Sequence, residues 1–150
     1  MSKPNRFPMP MPFGWFFVHF SADLKVGDVK TLHYFGQESV LFRTEDGTPA
    51  MLDAYCPHQG AHLGFGGEVA GDAIRCPFHG WEYKADGWCK HIPYATQMPP
   101  KCKEGPVMKS FPLVEKNGVI WAWYHPENQE PWFEVMEHDE FTQPGWCKPY

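Results

Sequence analysis

No stretch of this chain is apolar for long enough to cross a bilayer as a helix. The longest uninterrupted run, Phe13 to Val18, falls far short of the roughly 20 residues that a span requires. No basic segment precedes that run in the manner of a signal peptide, so the expected location is cytoplasmic. Dense runs of lysine and arginine are missing too, and the net charge is −5. Nucleic acid and anionic membrane are thereby set aside as partners, because such binding rests on neutralising phosphates. No window keeps an i, i+3, i+4, i+7 apolar pattern without a proline or glycine breaking it, which excludes long amphipathic helices. P-loop, dinucleotide fingerprint and G-x-S-x-G elbow are all absent, leaving phosphate and acyl-transfer chemistry without support. No internal repeat stands out. Cysteine is present but odd in number, at five. Without an export signal, that count points to metal ligation or free thiols rather than a disulfide framework.

What the chain does contain is turn formers and aromatic rings: 16 Pro and 14 Gly beside 12 Phe, 7 Trp and 6 Tyr in 150 residues. Such a length buries enough surface for one self-sufficient domain. The pattern predicts an all-β fold of short strands at close spacing. Hairpins are expected where Val29 to Phe35 and Glu38 to Arg43 flank Gly36-Gln37, and where Val40 to Thr44 and Pro49 to Ala54 flank Glu45-Asp46-Gly47. Asp86-Gly87 after Trp81 to Lys84, and Asn117-Gly118 between Phe111 to Glu115 and Val119 to Tyr124, suit turns with two positive φ angles. Three regions follow: a proline-rich arm over residues 1–14 (Pro4, Pro8, Met9, Pro10, Met11, Pro12), a domain over 15–125, and a tail over 126–150. That tail, with Trp132, Phe133, Phe141 and Trp146, is too aromatic for a free linker and is expected to pack on something.

The informative segment is central. Cys56-Pro57-His58 is followed by 17 residues and then Cys76-Pro77-Phe78-His79-Gly80-Trp81. Each arm offers one thiolate and one imidazole, a set that suits either tetrahedral zinc or an iron–sulfur centre. Zinc knuckles usually pair like ligands in sequence, whereas each arm here mixes them. A [2Fe-2S] rhomb with two sulfurs on one iron and two nitrogens on the other accepts one donor of each kind from each arm. Pro57 and Pro77 fix φ behind each cysteine and stiffen the arms. Gly60, Gly64, Gly66, Gly67 and Gly80 either bring backbone amides close to a cluster or simply form turns. Trp81 is placed to cover the centre and Tyr83 to donate its hydroxyl to a ligand sulfur, with core packing as the other reading of both.

C-x-H, 17 residues, C-x-x-H resembles the Rieske motif. The longer stretches Cys56-Pro57-His58-Gln59-Gly60-Ala61-His62-Leu63-Gly64 and Cys76 to Tyr83 are similar to those of the Rieske non-haem iron oxygenases. Pro12-Phe13-Gly14-Trp15 and Asp53-Ala54-Tyr55 place the likeness nearest the 3-ketosteroid 9α-hydroxylase and cholesterol-desaturase-like branch. The resemblance implies a Rieske fold, an antiparallel β-sandwich with a two-loop cluster-binding subdomain at its tip, about residues 55–84. It implies Cys56, His58, Cys76 and His79 as ligands of a Rieske-type 2Fe-2S cluster, with Trp81, Tyr83, Gly60 and Gly80 around it. The imidazoles are expected exposed at the tip. One-electron transfer in a ring- or steroid-oxygenase system follows, with a reductase or ferredoxin as donor and a mononuclear-iron catalytic domain or subunit as acceptor. A homo-trimer is implied, with His79 facing the neighbour.

The departures count as well. Ala61 and Phe78 stand where respiratory Rieske proteins carry a second cysteine pair, and Trp81 replaces a serine that donates to a bridging sulfide. Fewer donors to the cluster lower its potential, toward roughly −150 to 0 mV within a range of about −150 to +300 mV. After His79 only His91, His125 and His138 remain, and they supply no closely spaced pair for a catalytic iron. The expectation is therefore an electron relay without its own oxygen-activating site, with a free-standing Rieske ferredoxin and a structural zinc module as alternatives. Cys89, Cys102 and Cys147 read as free thiols or small hydrophobes, and His62 as a surface or hydrogen-bonding side chain. Lys84, Lys90, Lys101, Lys103, Lys109 and Lys116 form either a docking patch for an acidic protein or an ordinary solvated face.

Overall fold

The computed structural model describes residues 11–141 and 143–145. Most of the proline-rich arm (Pro4, Pro8, Met9, Pro10) lies outside the described residues, as do Trp146, Cys147 and Pro149. Eleven strands form three antiparallel sheets among these residues. The first sheet orders β1 (Gly14–Phe20), β11 (Val119–Tyr124) and β10 (Leu113–Lys116). The second orders β2 (Val29–Tyr34), β3 (Gln37–Arg43), β4 (Pro49–Asp53) and β9 (Ser110–Phe111). The third orders β5 (Glu68–Ala70), β6 (Ala73–Arg75), β7 (Glu82–Lys84) and β8 (Cys89–His91). The described helices are short. The one α-helix, α1, is Pro100–Glu104, and no described helix is long and apolar enough to cross a membrane.

The second sheet is the shared wall. Side chains alternate along a strand, yet β3 is buried from Ser39 to Arg43, because both of its faces are covered. Val40, Phe42, Ala50 and Leu52 point to one core, with Leu63, Ile74 and Tyr83 of the third sheet and its loops. Leu41 and Met51 point to the other, with Val18, Phe111, Ile120 and Ala122. The third sheet, carrying the motif, thus stands on the interior of the molecule rather than on a hinge. It runs on to His91.

The Asn117-Gly118 hairpin forms as expected, with φ of 58° and 73°. The first hairpin turns one residue earlier than the sequence suggested, at Phe35-Gly36 rather than Gly36-Gln37, with φ of 56° and 74°. A phenylalanine tolerates that conformation here because its ring is held, stacked on Tyr124 at 4.6 Å and packed against Phe16 and Phe111. The tail packs on the outer side of the first sheet. Trp132 and Phe133 both meet Trp123 at 5.1 Å, and the Trp15 indole N–H donates to the Phe133 carbonyl. Arg43 joins the two sides of the second core: its guanidinium holds Glu115 of β10 in a fork of 2.7 and 3.1 Å, and donates to the Leu24, Gly47 and Ser21 carbonyls.

Candidate metal centre

The two arms are copies of one turn. In the first, the Cys56 N–H donates to Ala61 O at 2.8 Å and the Gly60 N–H to Cys56 O at 2.8 Å. In the second, the Cys76 N–H donates to Trp81 O at 2.7 Å and the Gly80 N–H to Cys76 O at 3.1 Å. Both turns close on a glycine with positive φ, 74° and 72°, which any larger residue would hold only under strain. Cys-Pro-x-x-Gly recurs, and it escapes notice because only those three positions match. Histidine departs from adjacent positions of this shared turn in the two arms.

Folding sorts the donors by kind. The Cys56 and Cys76 thiols are buried and close enough to hydrogen-bond each other. The His58 and His79 rings lie 4.9 Å apart, edge to face. Burial first, and then the neighbouring Cys56 thiol, push the Cys76 thiol above its ordinary range, while the Phe78 and His79 backbone amides pull the other way by donating to its sulfur. The Tyr83 hydroxyl lies 3.0 Å from Cys56 Sγ, and Tyr83 has no exposed surface. Burial, followed by that sulfur contact, raises the Tyr83 phenol well above its usual value. Against a Cys56 thiolate, which can only accept, the phenol is the donor.

The imidazoles are half-buried rather than exposed, because aromatic rings cover them. Trp81 lies flat on His58 at 4.5 Å and 11°, and Phe78 packs on His79 at 4.0 Å. His79 Nδ1 is buried without any hydrogen-bond partner. An unmet buried acceptor or donor costs about 1–3 kcal/mol, a cost that a metal on His79 Nδ1 would offset; His62 Nε2, equally without a hydrogen bond, faces Glu38 instead. Two thiols held together, two imidazoles held together and an orphaned ring nitrogen fit an iron–sulfur cluster.

Of the remaining sequence candidates, His62 turns away from this group. Its Nδ1 accepts from the Gly64 N–H at 3.0 Å, its Nε2 lies 3.7 Å from Glu38, and its ring packs between Tyr55 and Phe65. Cys89 and Cys102 are buried in the first core. Burial, and then Cys102, push the Cys89 thiol up to about 12, which leaves it unreactive. Lys84, Lys90 and Lys116 are each paired with a carboxylate, and Lys109 reaches Gln37, so the lysines do not make one continuous unpaired patch. Tyr94 was not anticipated. Its hydroxyl accepts from the Trp81 indole N–H at 2.6 Å, and no local pattern around it signals that contact.

Residues 14–112 match the family described as Rieske [2Fe-2S] domain. The chain is 41% identical over 143 residues to cholesterol 7-desaturase nvd of Xenopus laevis, covering 95% of this chain and 31% of that protein. It is 36% identical over 135 residues to the probable 3-ketosteroid-9-alpha-monooxygenase, oxygenase component, of Rhodococcus rhodochrous, covering 89% and 33%. Among solved structures, dicamba monooxygenase superposes with a TM-score of 0.70 at 27% identity, over 87% of this chain and 38% of that one. The reduced complex between oxygenase and ferredoxin in carbazole 1,9a-dioxygenase gives 0.61 at 28% identity, over 73% and 28%. The chain thus spans about a third of the length of the curated relatives it matches. With the motif, the antiparallel sheets and the paired donors in agreement, the chain belongs to the Rieske [2Fe-2S] domain family, in the form found in Rieske oxygenase-type proteins.

Proposed function

We propose that Cys56 and Cys76 hold one iron of the cluster and His58 and His79 the other, and that the domain relays single electrons within a system acting on a sterol-like or other hydrophobic ring substrate. The observation that carries this reading is the sorting of donors. Each arm mixes sulfur and nitrogen in sequence, yet in space thiol meets thiol and imidazole meets imidazole. When bound, a cluster of this type takes up and gives back one electron at a time.

The protein's own residues set the conditions. Tyr83 donates to the Cys56 sulfur and the Phe78 and His79 amides to the Cys76 sulfur, which favours negative charge on both. Trp81 shields His58. No Asp, Glu, Lys or Arg occurs in residues 54–67 or 76–81, while Phe78 on His79 and Tyr94 beside Trp81 are more than half exposed. Arms without charges of their own, with exposed rings beside them, suit a lasting subunit or domain contact more than a charge-steered encounter with a mobile carrier. The acceptor in this reading is a mononuclear-iron catalytic domain or subunit, the donor a reductase or ferredoxin, and the assembly a trimer.

Iron and acid-labile sulfide in equal amounts, with a red-brown absorbance that bleaches on dithionite in the wild type and is lost in H79A, are the expected results. A colourless protein carrying one zinc per chain would overturn the assignment. Co-purification with a catalytic-domain protein at fixed stoichiometry separates a subunit from a free-standing ferredoxin.

A further inference from the structure

Three groups form a continuous line from the centre to the surface. His58 lies flat against Trp81, rings 4.5 Å apart and 11° from parallel, and the Trp81 indole N–H donates to the Tyr94 hydroxyl at 2.6 Å. An indole can only donate, so the Tyr94 oxygen is the acceptor and its own proton is left for solvent. Tyr94 is itself 60% exposed, yet its backbone is held firmly. Ile92 is buried, the Ala95 N–H closes a turn on Ile92 O at 3.1 Å, and Pro93 packs on the second arm. A Cβ at Gly80 would lie 3.0 Å from Pro93 Cγ, so glycine there allows this segment to come close. The fold has brought a hydroxyl from beyond β8 to one edge of the indole that lies on His58.

We infer that Tyr94 is a positioning residue for the cluster: its hydroxyl fixes the Trp81 indole, and the indole fixes the plane of the His58 imidazole. A half-buried histidine turns easily about its second side-chain torsion, which is a broad, shallow rotor. Stacking on a ring that is itself pinned removes that freedom without any contact between Tyr94 and His58. The inference rests on His58 being a ligand, and it leaves His79, packed on Phe78, independent of Tyr94.

The test uses pulsed electron paramagnetic resonance of the dithionite-reduced protein, which resolves the nitrogen couplings of the ligating imidazoles, on the wild type, Y94F, W81F and the double variant. Tyr94 is exposed, so Y94F is expected to fold and to keep its iron and sulfide. One of its two nitrogen couplings broadens while the other keeps its width. Bleaching of the cluster by a chelator speeds up by as much as about five-fold, the equivalent of one hydrogen bond of about 1 kcal/mol. In W81F the indole donor is gone, and adding Y94F changes nothing further. A Y94F spectrum superimposable on the wild type overturns the inference, as does equal broadening of both couplings or an undiminished effect of Y94F in the W81F background. A wild-type cluster that does not show two nitrogen couplings overturns the ligand assignment instead, which keeps the two failures distinct.

Discussion

Replacing Tyr83 by phenylalanine isolates one hydrogen bond to the proposed centre. The side chain is fully buried, and its hydroxyl lies 3.0 Å from Cys56 Sγ. Phenylalanine fills the same volume, so the core around Ile74 and Leu63 should remain packed. A hydrogen bond to a charged acceptor is worth about 1.5–3 kcal/mol. Both oxidation states receive it, and only the difference between them moves the potential. The reduced state carries one more negative charge and gains more from a donor. Taking that difference as a third to a half of the bond gives about 0.5–1.5 kcal/mol. At 59 mV per factor of ten for one electron, the midpoint falls by roughly 20–60 mV. Dye-mediated spectroelectrochemistry on wild type and Y83F in one buffer measures it, with iron and sulfide content confirming that both are fully loaded. A midpoint that stays put, or rises, refutes the argument that this hydroxyl stabilises the reduced centre.

The wild-type midpoint itself should lie at the low end of the Rieske range, roughly −150 to 0 mV, because Trp81 offers no hydroxyl to a bridging sulfide; a potentiometric titration well above zero would count against it. E115Q should cost about 1–2 kcal/mol at pH 7, since the guanidinium it abandons is nearly buried while Glu115 is about a third exposed, and a melting experiment should show a drop of about 3–6 °C. The Arg43 guanidinium holds the Glu115 carboxyl below the usual carboxylate range, against the opposing pull of burial. That contribution is complete above the unfolded value of about 4.3 and disappears as pH falls through the lower folded value. The gap between wild type and E115Q should therefore close on acidification below about pH 4; a gap that widens would contradict the assignment. G80A should lose more cluster, by iron and sulfide analysis, than G60A. Both pay the left-handed penalty of roughly 1–2 kcal/mol, but only the former brings a Cβ against Pro93, whereas Gly60 faces open space. Equal losses would show that backbone conformation alone matters.

Much of the fold was legible because it is local. Asn117-Gly118 demands two positive φ angles, and the chain has no residues better suited to them, so the β10–β11 hairpin could be read directly. The tail was expected to pack from its aromatic content, but nothing in it said that Trp132 and Phe133 would settle on Trp123. The Phe35-Gly36 turn was misplaced by one residue because its positive-φ phenylalanine is tolerated only through ring contacts with residues far along the chain. The sequence left the lysines as a docking patch or a solvated face, and only the fold shows Asp72 and Glu134 reaching Lys90 and Lys116.

By itself, the amino-acid order determined the chemistry available: two arms of Cys-Pro with one histidine each, at a spacing few other sites use, and turn residues that forbid long helices. Those are short-range properties, set by side-chain type and by the φ angles that proline and glycine permit. The tertiary structure decided what faces what. Packing Ala54, Cys56 and Leu63 in one core with Ile74, Cys76 and Tyr83 brings the arms side by side, so that mixed donors sort into a pair of sulfurs and a pair of imidazoles. The same assembly sets Tyr83 on Cys56, Tyr94 on the edge of Trp81 and Arg43 on Glu115. Contacts of that kind depend on strand order and register, which emerge only when the apolar faces of all three sheets are buried together.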